Sequence, residues 1–241
     1  MGRADFQGED PHDGDATART NADDPVEAAI DALRSGRPIC VHDFDDREGE
    51  TDLIYPAGAV DPTAVARLRN DAGGLICVAL GSEVADAAGL PYLSDALDHP
   101  AVGDEQLAYG DRSSFSLTVN HRGTYTGITD DDRSLTITSL AEFAAEAVAD
   151  DADEDDFAER FRVPGHVHLL RAAPGLLADR RGHTELGLAL AAAADLPPAV
   201  VVCEMLDDET GDALSPADAR VYAARHGLPF VDGDEIVERL G

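Results

Sequence analysis

Apolar residues along this chain fall into short runs separated by polar segments, a pattern typical of buried strands joined by helices and loops. Runs of strand length lie at residues 38–41, 53–55, 75–80, 167–170 and 199–203. Phe115, Leu117 and Val119 instead alternate with polar residues, which predicts a half-buried strand. Strands are therefore expected along most of the chain.

Helix starts are marked by residues that cap the first turn. Three share an Asp or Ser N-cap followed by proline at the first helical position: Asp24-Pro25, Asp61-Pro62 and Ser215-Pro216. Gly36 and Gly227 are predicted to end the first and the last of these helices. Ser139 with Glu142 predicts a capping box ahead of an Ala-rich helix, and a helix of small residues is expected over 184–194.

The order of these elements predicts how the chain is organised. Residues 1–22 are rich in Asp, Gly, Thr and Ala without a hydrophobic period, which predicts a flexible acidic extension. Residues 150–156 are nearly all carboxylate and are expected to form a solvated link. Strands and helices mix over residues 23–241 without a break in composition. We therefore expect a single α+β domain there, with an α/β-like mixed sheet flanked by helices.

The chain is strongly acidic, with a net charge of −31 from 18 basic and 49 acidic residues. Such a charge repels phosphate backbones, which excludes nucleic-acid binding through a basic surface. All 18 basic residues are arginine, and an acidic excess without lysine predicts a halophilic, cytoplasmic protein; high-GC codon bias is the alternative explanation. The apolar runs are too short for a membrane helix and the N-terminus is polar, so neither a membrane partner nor a secretory signal is expected.

The cysteines are Cys40, Cys77 and Cys203, which are far apart and form no C-x-x-C pair. A disulfide framework or a Cys-rich zinc site is therefore not expected. From its apolar surroundings alone, Cys77 is more typical of a small core residue than of a nucleophile.

The densest chemical signal is the acidic stretch 43–52, which carries six carboxylates around Arg47. Carboxylates at this density repel one another unless a cation lies among them, and oxygen ligands suit Mg²⁺. Arg47 could bind a phosphate, and Gly49 would let the loop fold around a ligand. A solvated acidic loop is the alternative explanation of the same stretch.

A second signal is the segment 180–185, which stands immediately before a predicted helix. Backbone N–H groups at a helix start favour anions, and Arg180, Arg181 and the Thr184 hydroxyl would complete a phosphate pocket. His183 could ligate a metal through a neutral ring nitrogen. A plain helix cap with solvated arginines is the alternative.

Three weaker signals complete the candidate chemistry. His166 and His168 alternate in a strand-like stretch, where they suit acid–base work or form a pair of structural histidines. Glu204 ends an apolar run, a position where active sites cluster in open sheets and where helix caps and ion pairs are also common. Residues 126–133 offer hydroxyls and an arginine to a phosphate, or form a turn. The combined set suits enolisation of a phosphorylated sugar, with Mg²⁺ stabilising the ene-diolate.

Five segments carry motifs that occur together in one enzyme family. Residues 43–52, 164–167, 180–185 and 203–204 are similar, in this order, to D-D-E-D-R-E-N-E-G-D, P-G-H-V, R-G-G-H-T-E and C-E. Residues 126–133 are similar to T-G-[IV]-[ST]-x-x-D-R. The chain thus resembles the 3,4-dihydroxy-2-butanone 4-phosphate synthase family of riboflavin biosynthesis, over about residues 25–240. The resemblance implies a lyase that converts D-ribulose 5-phosphate to L-3,4-dihydroxy-2-butanone 4-phosphate and formate. It also implies Mg²⁺ (or Mn²⁺) as cofactor and a homodimer whose active sites lie near the subunit interface.

The resemblance also implies roles for individual residues. Glu48 and His183 would ligate the metal. Substrate would be held by a larger polar set: Arg47, Glu48, Asp52, Thr126, Arg180, Arg181, Gly182, His183, Thr184 and Glu204. The catalytic set would comprise a proton-transfer pair and two supporting groups, namely His166 with Glu204, and Glu50 with Cys77.

The chain departs from the family's motifs at a few positions. Gly49 and Thr51 replace Asn and Gly in the acidic stretch, and Arg181 replaces a Gly, which adds positive charge beside the expected phosphate. The family's H-G-S-G corresponds to residues 71–74, which lack its His and Ser, so no role is assigned there. A stand-alone enzyme without a fused cyclohydrolase domain is expected.

Two other functions would use the same residues. A metal-dependent sugar-phosphate isomerase or phosphatase would release ribose 5-phosphate or inorganic phosphate instead of formate. A non-catalytic protein that binds a phosphorylated ligand, with Arg180 and Arg181 as a clamp, would show saturable binding without turnover.

Overall fold

Seven strands form a single mixed sheet in the described part of the chain, with the order β4-β5-β3-β6-β2-β1-β7. The computed structural model describes residues 24–102 and 110–241, so the expected extension over 1–22 lies outside the described residues. The strands are β1 (Ile39–His42), β2 (Thr51–Pro56), β3 (Cys77–Leu80), β4 (Phe115–His121), β5 (Phe161–Arg171), β6 (Ala199–Val202) and β7 (Phe230–Asp232). Two neighbouring pairs, β1 with β7 and β3 with β5, are parallel, and the other four pairs are antiparallel.

Helices cover both faces of this sheet. They are α1 (Pro25–Arg34), α2 (Pro62–Arg67), α3 (Ser82–Ala87), α4 (Leu93–Ala96), α5 (Asp130–Ala147), α6 (Glu154–Arg160), α7 (His183–Ala193), α8 (Pro216–His226) and α9 (Gly233–Leu240). Short 3₁₀ turns lie at Ala57–Ala59 and Leu176–Ala178, and a π-helical turn at Leu68–Ala72 follows α2. The described residues therefore have the predicted α+β architecture, a mixed sheet flanked by helices.

The core is divided into two layers because successive strand residues point to opposite faces. Leu53 and Val78 pack with α2, α5 and α8 on one face, whereas Ile54, Cys77 and Val200 pack with α1, α7 and α9 on the other. These side chains are buried, and burying each large apolar group contributes about 1.5–3 kcal/mol. The runs of buried-strand length are thus explained by a sheet that is covered on both sides.

The proline-based helix starts are confirmed. Asp24 accepts hydrogen bonds from backbone N–H groups of the first turn of α1, Asp61 does so for α2, and Ser215 does so for α8. Gly227 ends α8 with a φ of 64°, a left-handed conformation that glycine adopts without strain.

Three local predictions are wrong. Ser139 does not begin a helix, because α5 already starts after Thr129 and Ser139 is buried in its middle. Residues 154–156 do not belong to a solvated link but form the first turn of α6, capped by Asp153. In β4, Phe115 is exposed while the Ser116 hydroxyl is turned inward and donates to the Pro91 carbonyl over 2.5 Å. Bulges in the β4–β5 pairing shift the register and disturb the expected alternation.

Among the described residues, the helices all fall short of the length and apolar character needed to cross a membrane.

Candidate active site

The acidic stretch forms the loop of the β1–β2 hairpin, and hydrogen bonds to Asp43 fix its shape. The antiparallel register of β1 and β2 pairs His42 with Thr51, so the residues between them form this loop. The Asp43 carboxylate is buried and accepts hydrogen bonds from the backbone N–H groups of Glu48, at 3.3 Å, and Glu50, at 3.0 Å. Gly49 has a φ of 66°, the left-handed conformation that this turn requires. The loop is therefore folded around a carboxylate and is not simply solvated.

Arg47 lies among carboxylates on the inner side of this loop. Its Nη1 is 3.0 Å from both Asp43 Oδ2 and Glu48 Oε2, and its Nε donates to Asp111 Oδ2 over 3.0 Å. Burial opposes the charge, but Glu48, Asp43 and Asp111 outweigh it and raise the pKa of Arg47. The guanidinium is therefore permanently charged and held in a defined orientation.

The start of α7 faces the acidic loop, as the position of residues 180–185 predicts. Gly182 is the N-cap and supplies no side chain to the first turn. A Cβ at Gly182 would lie 2.6 Å from Arg180 Nη1 and 2.7 Å from Arg47 Nη2, so only glycine lets both guanidinium groups approach the helix start. Arg180 Nη1 donates to the buried Glu185 Oε2 over 2.7 Å. Two arginines and an uncapped helix N-terminus thus meet at one point, an arrangement suited to an anion.

Glu48 and His183, the predicted metal ligands, lie side by side. His183 Nδ1 is 3.5 Å from Glu48 Oε2. Asp43 joins them, because one ligand atom from each of the three residues lies within 4.8 Å of the others. His183 Nε2 is buried and makes no hydrogen bond within residues 24–102 and 110–241. The set of carboxylate oxygens and one imidazole fits a divalent cation.

Burial and mutual charge shift the pKa values at this cluster. Burial raises the pKa of Asp52 to about 8, with a further contribution from nearby carboxylates, and His183 opposes the shift. Burial acts against a charged His183, yet Asp52, Glu48 and Asp43 raise its pKa to about 9. Asp52 Oδ1 lies 3.6 Å from His183 Nδ1. The cluster therefore retains protons near neutral pH, which suits a site that transfers them.

Glu204 lies next to Asp52 because β2 and β6 are neighbours in the sheet, and the two residues form a bridge between the strand ends. Glu204 Oε2 accepts a hydrogen bond from the Leu75 backbone N–H over 2.8 Å. A Cβ at Gly74 would lie 2.4 Å from the same oxygen, so glycine is required there. No role was assigned to residues 71–74, but Gly74 leaves room for Glu204 and its backbone N–H donates to the Glu204 carbonyl oxygen over 3.0 Å. Burial raises the pKa of Glu50, and Glu48 and Glu204 contribute to the same shift.

Cys77 opens β3 close to this cluster and is buried. Burial raises the pKa of its thiol, and the charges of Glu204 and Asp52 act in the same direction. The thiol therefore stays protonated at neutral pH, which agrees with a core residue or a neutral hydrogen-bond donor and disagrees with a thiolate nucleophile.

His166 and Thr126 belong to a second, separate cluster. The Asn120 amide oxygen accepts from the His166 backbone N–H over 2.8 Å, and the Asn120 amide nitrogen lies 3.1 Å from His166 Nδ1. The Thr126 hydroxyl donates to Asp132 Oδ2 over 3.2 Å. Gly165 is required here, since a Cβ would lie 1.8 Å from the Val119 carbonyl carbon. His166 and Thr126 are exposed. Among the described residues, neither forms a hydrogen bond or an ion pair with His183 or Glu204.

Thr184 and Arg181, which were predicted to bind the substrate, differ in their exposure. Thr184 is buried in the first turn of α7, whereas Arg181 is exposed and lines a groove of about 1060 Å³. Arg47, Arg180 and Asp111 line the same groove. Most of the predicted site residues therefore lie close together in the structure, whereas His166 and Thr126 lie in a separate cluster.

Three residues of the site were missed. Asp111 contacts both arginines but lies outside every motif, and no sequence signal marks it. Gly74 was set aside because its segment departs from the family, although an unbroken Gly73-Gly74 pair is itself a sign of close backbone approach. Asn120 stands at a polar position of the alternation in its strand, and it is buried because the β4–β5 register shifts between Val119 and Asn120, so no sequence signal marks it.

Similarity to known proteins points to one enzyme family. The family model described as 3,4-dihydroxy-2-butanone 4-phosphate synthase matches residues 27–239. The synthase of Methanosarcina mazei is 48% identical over 223 residues, which cover 88% of this chain and 90% of that protein. The synthase of Archaeoglobus fulgidus is also 48% identical and is covered to 92%.

Solved structures of similar proteins have the same fold. The chain matches a crystal structure of the Candida albicans synthase with a TM-score of 0.73 at 33% identity, covering 90% of this chain and 97% of that one. It matches a synthase structure in complex with two magnesium ions with a TM-score of 0.72 at 30% identity, covering 86% and 92% of the two chains. These matches in sequence and fold, over nearly the whole chain, define the class of protein as a biosynthetic enzyme. The chain belongs to the 3,4-dihydroxy-2-butanone 4-phosphate synthase family, which acts in riboflavin biosynthesis.

Proposed function

We propose that this protein is a lyase that converts D-ribulose 5-phosphate to L-3,4-dihydroxy-2-butanone 4-phosphate and formate, with Mg²⁺ (or Mn²⁺) as cofactor. The observation that carries the proposal is the convergence of Glu48 and His183 beside the Arg47–Arg180 pair. These residues come from the β1–β2 loop and the start of α7, which the fold brings together. A cation site and an anion site side by side suit a sugar phosphate, which carries hydroxyls and a phosphate on one short chain.

The metal would be held by Glu48 and His183, and Asp43 is an additional candidate. Support comes from the mutual distances of the three groups and from the buried His183 Nε2, which has no hydrogen-bond partner among the described residues. Asp43 already accepts hydrogen bonds from its own loop, so we assign it mainly to shaping that loop. When bound, the cation would polarise the substrate oxygens and stabilise developing negative charge.

The phosphate would bind where Arg47 and Arg180 approach Gly182. Their guanidinium groups and the uncapped first turn of α7 offer several N–H donors to one anion. Thr184 and Arg181 lie in the same segment and would extend the pocket, Thr184 from inside and Arg181 from the exposed side.

Glu204, which lies beside Asp52, and the exposed His166 would transfer protons. Leu75 fixes the Glu204 carboxylate by its backbone N–H, so the carboxylate needs little reorganisation when it accepts or returns a proton. Asp52, with its pKa raised to about 8 by burial, would hold a proton beside it at neutral pH. Glu50 and Cys77 would support this set, with Cys77 as a neutral group.

The homodimer is part of the proposal because His166 and Thr126 are exposed while the metal cluster is buried. Large apolar side chains lie exposed around them, including Tyr125 at 94% exposure, Ile128 and Val163. Such residues are costly in water and are typical of a surface that another molecule covers. A second copy that covers this surface would bring His166 and Thr126 to an active site at the interface.

Incubation of the protein with ribulose 5-phosphate and Mg²⁺, followed by a formate assay and an NMR spectrum of the mixture, tests the lyase. Formate and the four-carbon phosphate are expected. Ribose 5-phosphate or inorganic phosphate as the only product would instead favour an isomerase or a phosphatase. Binding without any product would favour a non-catalytic protein. We further propose that the protein acts in the cytoplasm of a halophile and that residues 23–241 form its catalytic domain.

A further inference from the structure

Asp111 occupies a central position between the two arginines of the site. Its Oδ2 accepts a hydrogen bond from Arg47 Nε over 3.0 Å and lies 3.4 Å from Arg180 Nε. Among the described residues, no other carboxylate forms an ion pair with both arginines. Asp111 Oδ2 thus lies between the two guanidinium groups, in the position that a bound anion would occupy.

The other carboxylates of the two arginines differ from Asp111 in burial. The Asp43 and Glu185 side chains are 0% exposed and are fixed by backbone N–H groups, whereas the Asp111 side chain is 29% exposed. Asp43 and Glu185 therefore hold the arginines in place from behind. Asp111 approaches them from the side of the open groove, which it lines together with both arginines.

The pairing of Asp111 with Arg180 is also incomplete. Arg180 Nε is buried and makes no hydrogen bond within the described part of the chain, although Asp111 Oδ2 lies within ion-pair distance. A phosphate bound between Arg47 and Arg180 could satisfy this donor. It would, however, lie beside the Asp111 carboxylate, and two anions a few ångströms apart repel each other strongly in a partly buried site.

We infer that Asp111 is a specificity-determining residue that acts as an internal competitor for the anion site. This inference rests on the phosphate pocket of the proposed function. In the ligand-free protein the Asp111 carboxylate occupies the arginine pair. A monoanionic carboxylate gains nothing by replacing it, because the two groups are chemically alike. A phosphate dianion carries more charge and more acceptor oxygens and can displace it.

The experiment compares Asp111→Asn with Asp46→Asn in titrations with inorganic phosphate in the presence of Mg²⁺. Asp46 lines the same groove and carries the same charge, but it is in no ion pair within the described residues, so it controls for a general change of charge. Asp111→Asn should bind phosphate roughly tenfold more tightly, because a like charge close to the bound anion is removed. Asp46→Asn should stay within about twofold of the unmodified protein, since Asp46 is exposed and water and salt screen its charge.

Acetate gives a second readout. It should displace phosphate from Asp111→Asn but not from the unmodified protein at the same concentration. Unchanged or weaker phosphate binding in Asp111→Asn, or equal tightening in Asp46→Asn, would overturn the inference. If Asp111→Asn does not fold, as judged by its melting curve, Asp111→Ala is measured instead, with the same expected direction.

Formate release, measured in parallel, separates this inference from the lyase proposal. Tighter phosphate binding in Asp111→Asn without formate release by the unmodified protein would support the competitor role and reject the lyase. Formate release by the unmodified protein with weaker phosphate binding in Asp111→Asn would support the lyase and reject the competitor role.

Discussion

Two polar clusters of this protein each contain a histidine but differ in what surrounds it. The buried cluster around Glu48, Asp52 and His183 is enclosed by the sheet and α7, and its pKa values are shifted by burial and mutual charge. The exposed cluster around Asn120 and His166 is held by short hydrogen bonds to the backbone and to its own members. The difference fits the proposed roles, in which the buried cluster binds the metal and reacts and the exposed cluster completes the site of a second copy.

The largest expected effect is on the buried cluster. Glu48→Ala and His183→Ala should each lower formate release more than about 100-fold, because each removes a proposed metal ligand. Both variants should remain folded, since the removed groups face a polar site. Asp46→Ala, in the same loop, is the matched control and should stay near full activity. Near-normal turnover in both ligand variants would contradict the metal assignment.

A subunit-mixing experiment tests whether the exposed cluster serves a second copy. Glu48→Ala and His166→Ala are each expected to be inactive alone. After unfolding and refolding together, about a quarter of the activity should return, because half of the dimers are mixed and each holds one intact site. Mixtures that stay inactive, with mixed dimers demonstrated by a tag, would place His166 in the active site of its own chain.

Gly74→Ala should damage the buried cluster through its backbone support. The added Cβ would lie 2.4 Å from Glu204 Oε2 and 2.6 Å from its carbonyl oxygen. Overpacking of this kind costs about 1–3 kcal/mol, which a denaturant titration measures. Gly58→Ala, whose Cβ would meet only Ala141 at 3.7 Å, is the control and should change the free energy of unfolding by less than about 0.5 kcal/mol. Equal stability of the two variants would disprove the close approach.

A smaller effect is expected from pH. The folded pKa of His183 is raised from 6.5 to about 9, so its stabilisation is complete below the unfolded value and is lost as the pH rises towards 9. Ionisation of Asp52, whose pKa is raised to about 8, weakens the metal-free protein in the same direction. Mg²⁺ needs deprotonated ligands, so the rise in Tm on adding Mg²⁺ should grow from about pH 6 to about pH 9. A rise that is independent of pH would show that His183 does not bind the metal.

The smallest local effect concerns salt, which should act on the surface and hardly on the buried cluster. With a net charge of −31, the protein should gain stability as KCl is raised, because screening weakens repulsion among exposed carboxylates. Melting curves from dilute to molar KCl provide the measurement. Full stability at low KCl would reject the halophilic adaptation and leave codon bias as the explanation of the composition.

Local signals predicted the elements well where one residue determines the backbone. Asp24 and Ser215 cap their helices as expected because an N-cap acts within a single turn. Ser139 shows the limit of the same rule, since its capping pattern with Glu142 lies inside a helix that packing against the sheet extends from Thr129. Tertiary burial overrode the local preference there.

The site could be predicted as far as its motifs reach. The segments of Glu48 and His183 were singled out because they carry dense and distinctive chemistry, and the structure places His183 Nδ1 3.5 Å from Glu48 Oε2. Asp111 and Gly74 were not singled out, because their contacts depend on how distant segments meet: Asp111 on the approach of two arginines, and Gly74 on the position of Glu204. The contacts of Asp111 leave no periodic or compositional trace in the chain, and the Gly73-Gly74 pair indicates a close backbone approach without indicating its partner.

The position of the bridge between Asp52 and Glu204 affects how the protein unfolds. β2 and β6 lie in the interior of the sheet, whereas β4 and β7 form its borders. Proteins open locally from weakly packed borders before their centres separate. Fraying of the outer strands would therefore leave these two carboxylates facing each other, so the reactive centre belongs to the last part of the molecule to come apart.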